Sequence, residues 1–172
     1  MKQIPFYKMS GAGNDFIIID NRNQIVADKE LSGFIASVCR RKMSAGADGL
    51  ILIEDSDKHD FRWRFFNSDG SKAEMCGNGA RCAARFAHVS GIAGTSLSFE
   101  TEAGVVSAQI NDGRVKVKMP DPSDLKLTYP LKLSDGSLEI SSINTGVPHV
   151  VVMVEQVADI DVVALGREIR FH

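Results

Sequence analysis

Residues 67–82 decide how this sequence is interpreted, and they read Asn67-Ser68-Asp69-Gly70-Ser71-Lys72-Ala73-Glu74-Met75-Cys76-Gly77-Asn78-Gly79-Ala80-Arg81-Cys82. Two glycines flank Asn78 directly after Cys76, and an alanine-rich run follows them. This pattern predicts a helix from Gly77 to Val89, which the Ser-Gly pair at 90–91 ends. Because the first turn carries almost no side chains, its backbone N–H groups stay uncovered and can hold an anion.

Cys76 stands where this helix begins. The positive end of the helix dipole stabilises a thiolate over a thiol, so Cys76 is a candidate base or nucleophile next to a carboxylate site. The alternative is that Cys76 is a small buried apolar residue and the glycines form a plain loop. Cys39 and Cys82 are expected to pack in the core, since Cys39 continues an apolar helical stripe and Cys82 lies about 240° around the helix from Cys76.

Upstream of this stretch, the pattern predicts short strands at 4–9, 16–20, 50–54 and 61–65, with a glycine loop joining the first two. Asp28 is expected to cap a helix whose apolar residues run from Leu31 to Cys39, and the cations at 40–42 are expected to close it. The two glycine loops, at 11–16 and 77–82, each lack the third glycine of a dinucleotide-binding fingerprint, which disfavours nucleotide binding.

Downstream, strands are predicted in hairpins at 97–101, 105–110 and 115–119. Two prolines and three polar residues at 120–124 predict a domain boundary, giving domains 1–119 and 120–172. The second domain is predicted to hold strands at 125–133, 138–143 and 150–154 and a helix from Asp161. About 50 residues are few for an independent core, so this domain is expected to be only the beginning of a larger one.

The amino-acid composition argues against several classes of function. The chain has 172 residues, 44% hydrophobic and 24% charged, with a net charge of −2. This balance is typical of a globular enzyme-sized domain and gives no basic excess for nucleic acid or an acidic membrane. The first 20 residues lack the apolar run of a signal or a spanning helix. Three cysteines without a CxxC pair indicate a reducing, cytoplasmic setting with no disulfide framework and no metal site.

A second candidate site is the loop Asn144-Thr145-Gly146-Val147-Pro148-His149 between two predicted strands. An amide and an imidazole held by a rigid proline suggest the wall of a polar ligand site. The alternative is that His149 is an ordinary structural histidine.

Four motifs, at 11–16, 46–49, 67–82 and 144–149, make the chain similar to the diaminopimelate epimerases, from about Lys8 to its last residue. The third motif is highly specific. The resemblance implies an α+β fold of two lobes, each a curled, mainly antiparallel sheet around a central helix, with the site in the cleft between them. It also implies that the second lobe is incomplete in this chain.

The resemblance further implies a cofactor-independent isomerase that interconverts LL- and meso-diaminopimelate in lysine biosynthesis. One cysteine thiolate removes the Cα proton and a second cysteine reprotonates the opposite face. Cys76 would be the first cysteine, with His149 near its thiol, and the amino acid would be held by a set of five residues: Asn14, Asn67, Gly77, Asn78 and Asn144. The second cysteine is not in this chain, so the chain alone is expected to be inactive.

Two other readings stay open. The chain could be another isomerase of the same fold, such as a proline racemase or a phenazine-type isomerase, or a non-catalytic anion-binding or assembly module. The expected ligand is a small amino acid, with no cofactor. An apolar face that a second lobe would cover also predicts a homodimer or other self-association.

Overall fold

The structure is a computed structural model that describes residues 3–134 and 136–172. After Pro120 the chain divides into two compact units, and each is described by itself. No helix within residues 3–134 and 136–172 is both long and apolar enough to cross a membrane.

The described residues of the first unit, 3–120, form eight strands and two helices. Its helices are α1 (Leu31–Cys39) and α2 (Gly77–Val89). Its strands, in chain order, are β1 (Tyr7–Gly11), β2 (Asn14–Asp20), β3 (Gly49–Glu54), β4 (Phe61–Asn67), β5 (Lys72–Ala73), β6 (Ser96–Thr101), β7 (Gly104–Asn111) and β8 (Arg114–Lys118).

All eight strands belong to one sheet with the order β1-β2-β3-β4-β6-β7-β8, and β5 pairs with β4. The pairs β2·β3 and β4·β6 are parallel, and the other five pairs are antiparallel. Strands β1 and β8 stand at opposite ends of this order, yet both pack against α2. The sheet therefore curls around α2, which confirms the predicted α+β class and the central helix.

Strands β2 and β3 are covered on both faces. One face packs on α1 in a cluster that includes Ile17, Ile19, Leu50 and Leu52. On the other face, Ile51 lies beside the first turn of α2. Continuous apolar runs such as residues 16–19 are typical of strands buried in this way.

The ends of α1 differ from the prediction. Its N-cap is Glu30, which has a left-handed backbone (φ 62°) and makes no side-chain cap bond. The predicted cap is wrong because the carboxylate of Asp28 instead accepts a hydrogen bond from Arg64 at 2.7 Å. The helix ends at Cys39, so the following cations lie beyond its last turn, and Arg41 pairs with carboxylates elsewhere.

The second unit, Asp121–His172, is a three-stranded antiparallel sheet with one helix. Its elements are β9 (Ser123–Leu133), β10 (Gly136–Asn144), β11 (Pro148–Val151), a short 3-10 helix (Val157–Asp159) and α3 (Val162–Arg170). The Asp161 carboxylate caps α3 by accepting the Ala164 N–H at 2.9 Å. Among the described residues of this unit, only Ile140 has a buried side chain.

Candidate active site

The first turn of α2 is built around Cys76. Cys76 has an extended backbone and occupies the N-cap position, and its sulfur accepts the N–H of Gly79 at 3.4 Å. Its carbonyl accepts the N–H of Ala80 at 2.8 Å, which is the first bond of the helix. The predicted helix start is confirmed, and it places the thiol at the positive end of the α2 dipole.

Two N–H groups of this turn, those of Gly77 and Asn78, have no carbonyl partner available within the helix. Gly77 lies in an open position, since an added Cβ would come no closer than 3.9 Å to Met119. Gly79, in contrast, is buried, and its Cβ position lies 3.4 Å from both Ile51 and Trp63. Gly79 therefore fits the helix against the core, whereas Gly77 leaves backbone N–H groups open to a ligand.

Asn14 and Asn78 contact each other. The Nδ2 of Asn78 donates to the Oδ1 of Asn14 at 2.8 Å, and Arg81 donates to the Oδ1 of Asn78. Asn14 begins β2 and Asn78 lies in the first turn of α2, so this bond joins the sheet to the start of the helix. The structure thus brings Asn14, Asn78, Gly77 and Cys76 together.

Asp48 supports Asn14 from the other side. Its carboxylate accepts the Asn14 Nδ2 at 3.4 Å and the Asp15 N–H at 2.9 Å. Arg41 donates to Asp48 at 2.8 Å and to Asp15 at 3.0 Å. The Arg41 hydrogen bond is the main reason why the pKa of Asp48 lies below its usual value, with the Asp15 N–H contributing next.

The sequence assigned no role in the site to Asp48, Arg41 or Arg81. Asp48 belongs to the motif at 46–49, and Arg81 belongs to the motif at 67–82. Membership of these motifs was the signal in the sequence that could have pointed to both residues. The bonds from Asn14 to Asp48 and from Arg41 to Asp15 join residues 34 and 26 positions apart, which no local pattern records.

Asn67 ends β4, opposite Gly49 in β3, which in turn pairs with Phe16 in β2. This register places Asn67 at the same end of the sheet as Asn14. Its side chain is exposed, and its Nδ2 donates to the Ser71 hydroxyl at 3.0 Å.

Cys39 and Cys82 lie in the core, as predicted, with 3% and 4% of their surface exposed. Burial raises the pKa of each thiol to about 11, with a smaller contribution from Asp48 for Cys39 and from Cys76 for Cys82. All three cysteines are free. The Cys76 side chain is partly exposed, whereas Cys39 and Cys82 are buried. Within the part of the chain that the structure describes, no three His, Cys, Asp or Glu side chains are grouped as metal ligands would be.

Asn144 and His149 lie together in the second unit, at facing ends of β10 and β11. The Oδ1 of Asn144 accepts the Gly146 N–H at 2.9 Å, which leaves its Nδ2 as a donor. The Nδ1 of His149 lies 2.8 Å from the Val147 carbonyl. Because a carbonyl only accepts, Nδ1 is the donor in this contact.

Solved structures define the class. A probable proline racemase from Agrobacterium radiobacter K84 matches 91% of the chain with a TM-score of 0.71 at 17% identity, and the match covers 53% of that protein. A PhzF-family phenazine biosynthesis protein from Bacillus anthracis matches 90% of the chain with a TM-score of 0.67 at 21% identity, and the match covers 57% of that protein. The chain has the fold that these proteins share.

Sequence comparison narrows this class to one family. A profile described as Diaminopimelate epimerase matches residues 6–124. The diaminopimelate epimerase of Aquifex aeolicus is 46% identical over 97% of the chain, and that of Archaeoglobus fulgidus is 42% identical over 98%. The chain belongs to the diaminopimelate epimerase family. It spans 63% and 65% of the lengths of these two relatives.

Proposed function

We propose that this chain supplies the Cys76 side of a diaminopimelate epimerase, which interconverts LL- and meso-diaminopimelate in lysine biosynthesis. The observation that carries the proposal is the position of Cys76 at the N-cap of α2, next to open N–H groups and the Asn14–Asn78 pair. A thiolate there removes the Cα proton and becomes a thiol, and the electron pair left on the substrate spreads onto its α-carboxylate.

The N–H groups of Gly77 and Asn78, with the side-chain amide of Asn14, would bind that carboxylate. Oriented donors of this kind stabilise the negative charge that develops when the proton leaves, so no cofactor is required. Asn67 and Asn144 would also hold the amino acid, and His149 would act near the thiol.

Inversion also needs an acid on the opposite face of Cα. Cys39 and Cys82 are unsuited to this role, because both side chains are buried in the core and are not open to a ligand. We therefore propose that the second acid is a cysteine outside this chain, and that the chain alone does not invert its substrate.

Alkylation by iodoacetamide at pH 7, with peptide mapping, tests the site. Cys76 should react first, and LL- or meso-diaminopimelate should slow its labelling, whereas proline should not. Preferential labelling of Cys39 or Cys82 would contradict the assignment of the thiol. Equal protection by proline would favour a racemase of the same fold.

Deuterium incorporation at Cα in heavy water tests the chemistry. Cys76→Ser is the matched variant, because a serine hydroxyl also caps a helix and keeps the fold while removing the thiolate. We expect no stereochemical inversion by this chain, and any Cα exchange should vanish in Cys76→Ser. Inversion at the rate of a complete epimerase would contradict the proposed location of the second acid.

We also propose that the chain works in the cytoplasm, since three free thiols suit a reducing compartment. Two apolar side chains of the second unit, Met153 and Val163, are more than four-fifths exposed. Such exposure favours self-association, which light scattering behind a sizing column would measure. A concentration-independent monomer mass would contradict it.

A further inference from the structure

We infer that Asp48 and Arg81 are positioning residues that fix the orientation of the Asn14 and Asn78 amides, so that both offer N–H donors to an anionic ligand. The inference deepens the proposed function, on which it rests. It starts from a series of three hydrogen bonds, in which Arg81 donates to Asn78, Asn78 donates to Asn14, and Asn14 donates to Asp48.

The charged residues at the two ends of this hydrogen-bond series determine which groups donate and which accept. A guanidinium only donates, so Arg81 faces the carbonyl oxygen of the Asn78 side chain. The Nδ2 of Asn78 must then donate, and it meets the Oδ1 of Asn14 at 2.8 Å. The Nδ2 of Asn14 is thereby turned to Asp48, whose carboxylate only accepts. Each Nδ2 has two protons and uses one of them in this hydrogen-bond series, so each amide keeps one N–H for a ligand.

Asp48 is well suited to be the accepting end. Arg41 and the Asp15 N–H both donate to it, and they hold the pKa of Asp48 below its usual value. The side chain is therefore a carboxylate at neutral pH and cannot act as a donor. Arg41 donates its hydrogen bonds to Asp48 and Asp15 rather than to Asn14 or Asn78, so it acts on the two amides through these carboxylates.

The orientation matters because an asparagine amide can rotate by half a turn and exchange its oxygen and nitrogen at little cost in shape. A reversed pair would direct carbonyl oxygens at the position where a carboxylate binds, and two acceptors repel each other. With both charged ends in place, only the donor-presenting arrangement satisfies every partner. The charges at Asp48 and Arg81 thus act on the ligand through two neutral amides.

The first measurement uses the side-chain NH₂ signals of Asn14 and Asn78 in ¹⁵N NMR spectra of the full chain without ligand. Asp48→Asn should shift the signals of both asparagines, although Asn78 is linked to position 48 only through its hydrogen bond to Asn14. Arg81→Gln should also shift both. The matched control is Asp20→Asn, which removes a carboxylate that pairs with Arg22 at the other end of β2, and it should shift neither. Unchanged signals in Asp48→Asn and Arg81→Gln would overturn the inference.

The second measurement separates orientation from general structural support. Arg81→Lys keeps a donor-only side chain, whereas Arg81→Gln offers both a donor and an acceptor. Binding of meso-diaminopimelate, read from protection of Cys76 against iodoacetamide, should weaken about tenfold in Arg81→Gln and recover in Arg81→Lys. Equal losses in the two variants would overturn the inference. If the unmodified chain binds no diaminopimelate, the proposed function fails for this chain, while the NMR signals still decide the orientation.

Discussion

Replacing Gly11 with alanine should destabilise the first unit, because β1 approaches the start of α2 at this position more closely than a side chain allows. A Cβ on Gly11 would lie 2.9 Å from the sulfur of Cys82 and 3.0 Å from the carbonyl oxygen of Asn78. Ordinary contacts between heavy atoms need about 3.5–4.0 Å, so either the strand or the helix must move. One of the two obstacles is helix backbone and the other a short, buried side chain, so neither yields easily.

The expected loss follows from two opposing contributions. Overpacking by one methyl costs about 1–3 kcal/mol, and the reduced entropy of the unfolded chain returns about 0.4–1 kcal/mol. The free energy of unfolding should therefore fall by about 1–2 kcal/mol. Urea titration followed by the fluorescence of Trp63, the single tryptophan of the sequence, reports on this unit.

Two further variants make the measurement specific. Gly33→Ala in the first turn of α1 meets nothing within 4 Å and should stabilise the unit by at most about 1 kcal/mol, because alanine favours a helix more than glycine does. Combining Gly11→Ala with Cys82→Ala removes the sulfur that the new methyl meets, so the double variant should lose less stability than the two single losses added together. A Gly11→Ala chain as stable as the parent would refute the close approach.

Three other perturbations have defined outcomes. Because burial raises the pKa of Cys39 and Cys82 from 9.0 to about 11, the folded thiols stay protonated where unfolded ones ionise. Stability should therefore fall as pH rises from about 9 to 11, by about 2–3 kcal/mol per thiol, and Cys39→Ala should remove about half of that slope in urea titrations. Asp161→Ala should weaken α3 by about 1 kcal/mol, seen as faster amide exchange within it, and unchanged exchange would contradict the cap. Gly113→Ala should cost about 1 kcal/mol in urea titration, because φ is +80° in the β7–β8 turn, and a neutral result would contradict that turn geometry.

Local signals in the sequence were sufficient for α2 and for its cap. An alanine-rich run between a glycine start and a Ser-Gly stop has few alternatives, and the structure begins and ends the helix at Gly77 and Val89. The hairpin turn at 112–113 was equally readable, since both residues have positive φ, which Asp-Gly favours.

Interactions between distant segments could not be read from the sequence. Asp28 was expected to cap a helix three residues away, but it pairs with Arg64, 36 positions along the chain. The Asn78–Asn14 bond spans 64 positions, and the Asn14–Asp48 bond spans 34. The residue types in the site were visible in the sequence, whereas the order in which they bond depends on strands that meet only after folding.

The double burial of β2 and β3 has a consequence for how their alignment is chosen. In a strand with one solvent-exposed face, polar and apolar residues alternate. This alternation fixes the register, since a shift by one residue would expose all the apolar side chains. The run at 16–19 is apolar on both sides, so sliding against β3 would change hydrophobic burial little. Alignment must instead come from the strand ends, where a Cβ on Gly49 would lie only 2.6 Å from the Phe66 carbonyl oxygen and where Asp48 accepts a hydrogen bond from Asn14. The groups that we propose to hold the ligand also fix how the strand ends align, so substitutions there should produce misaligned chains as well as weakened ligand binding.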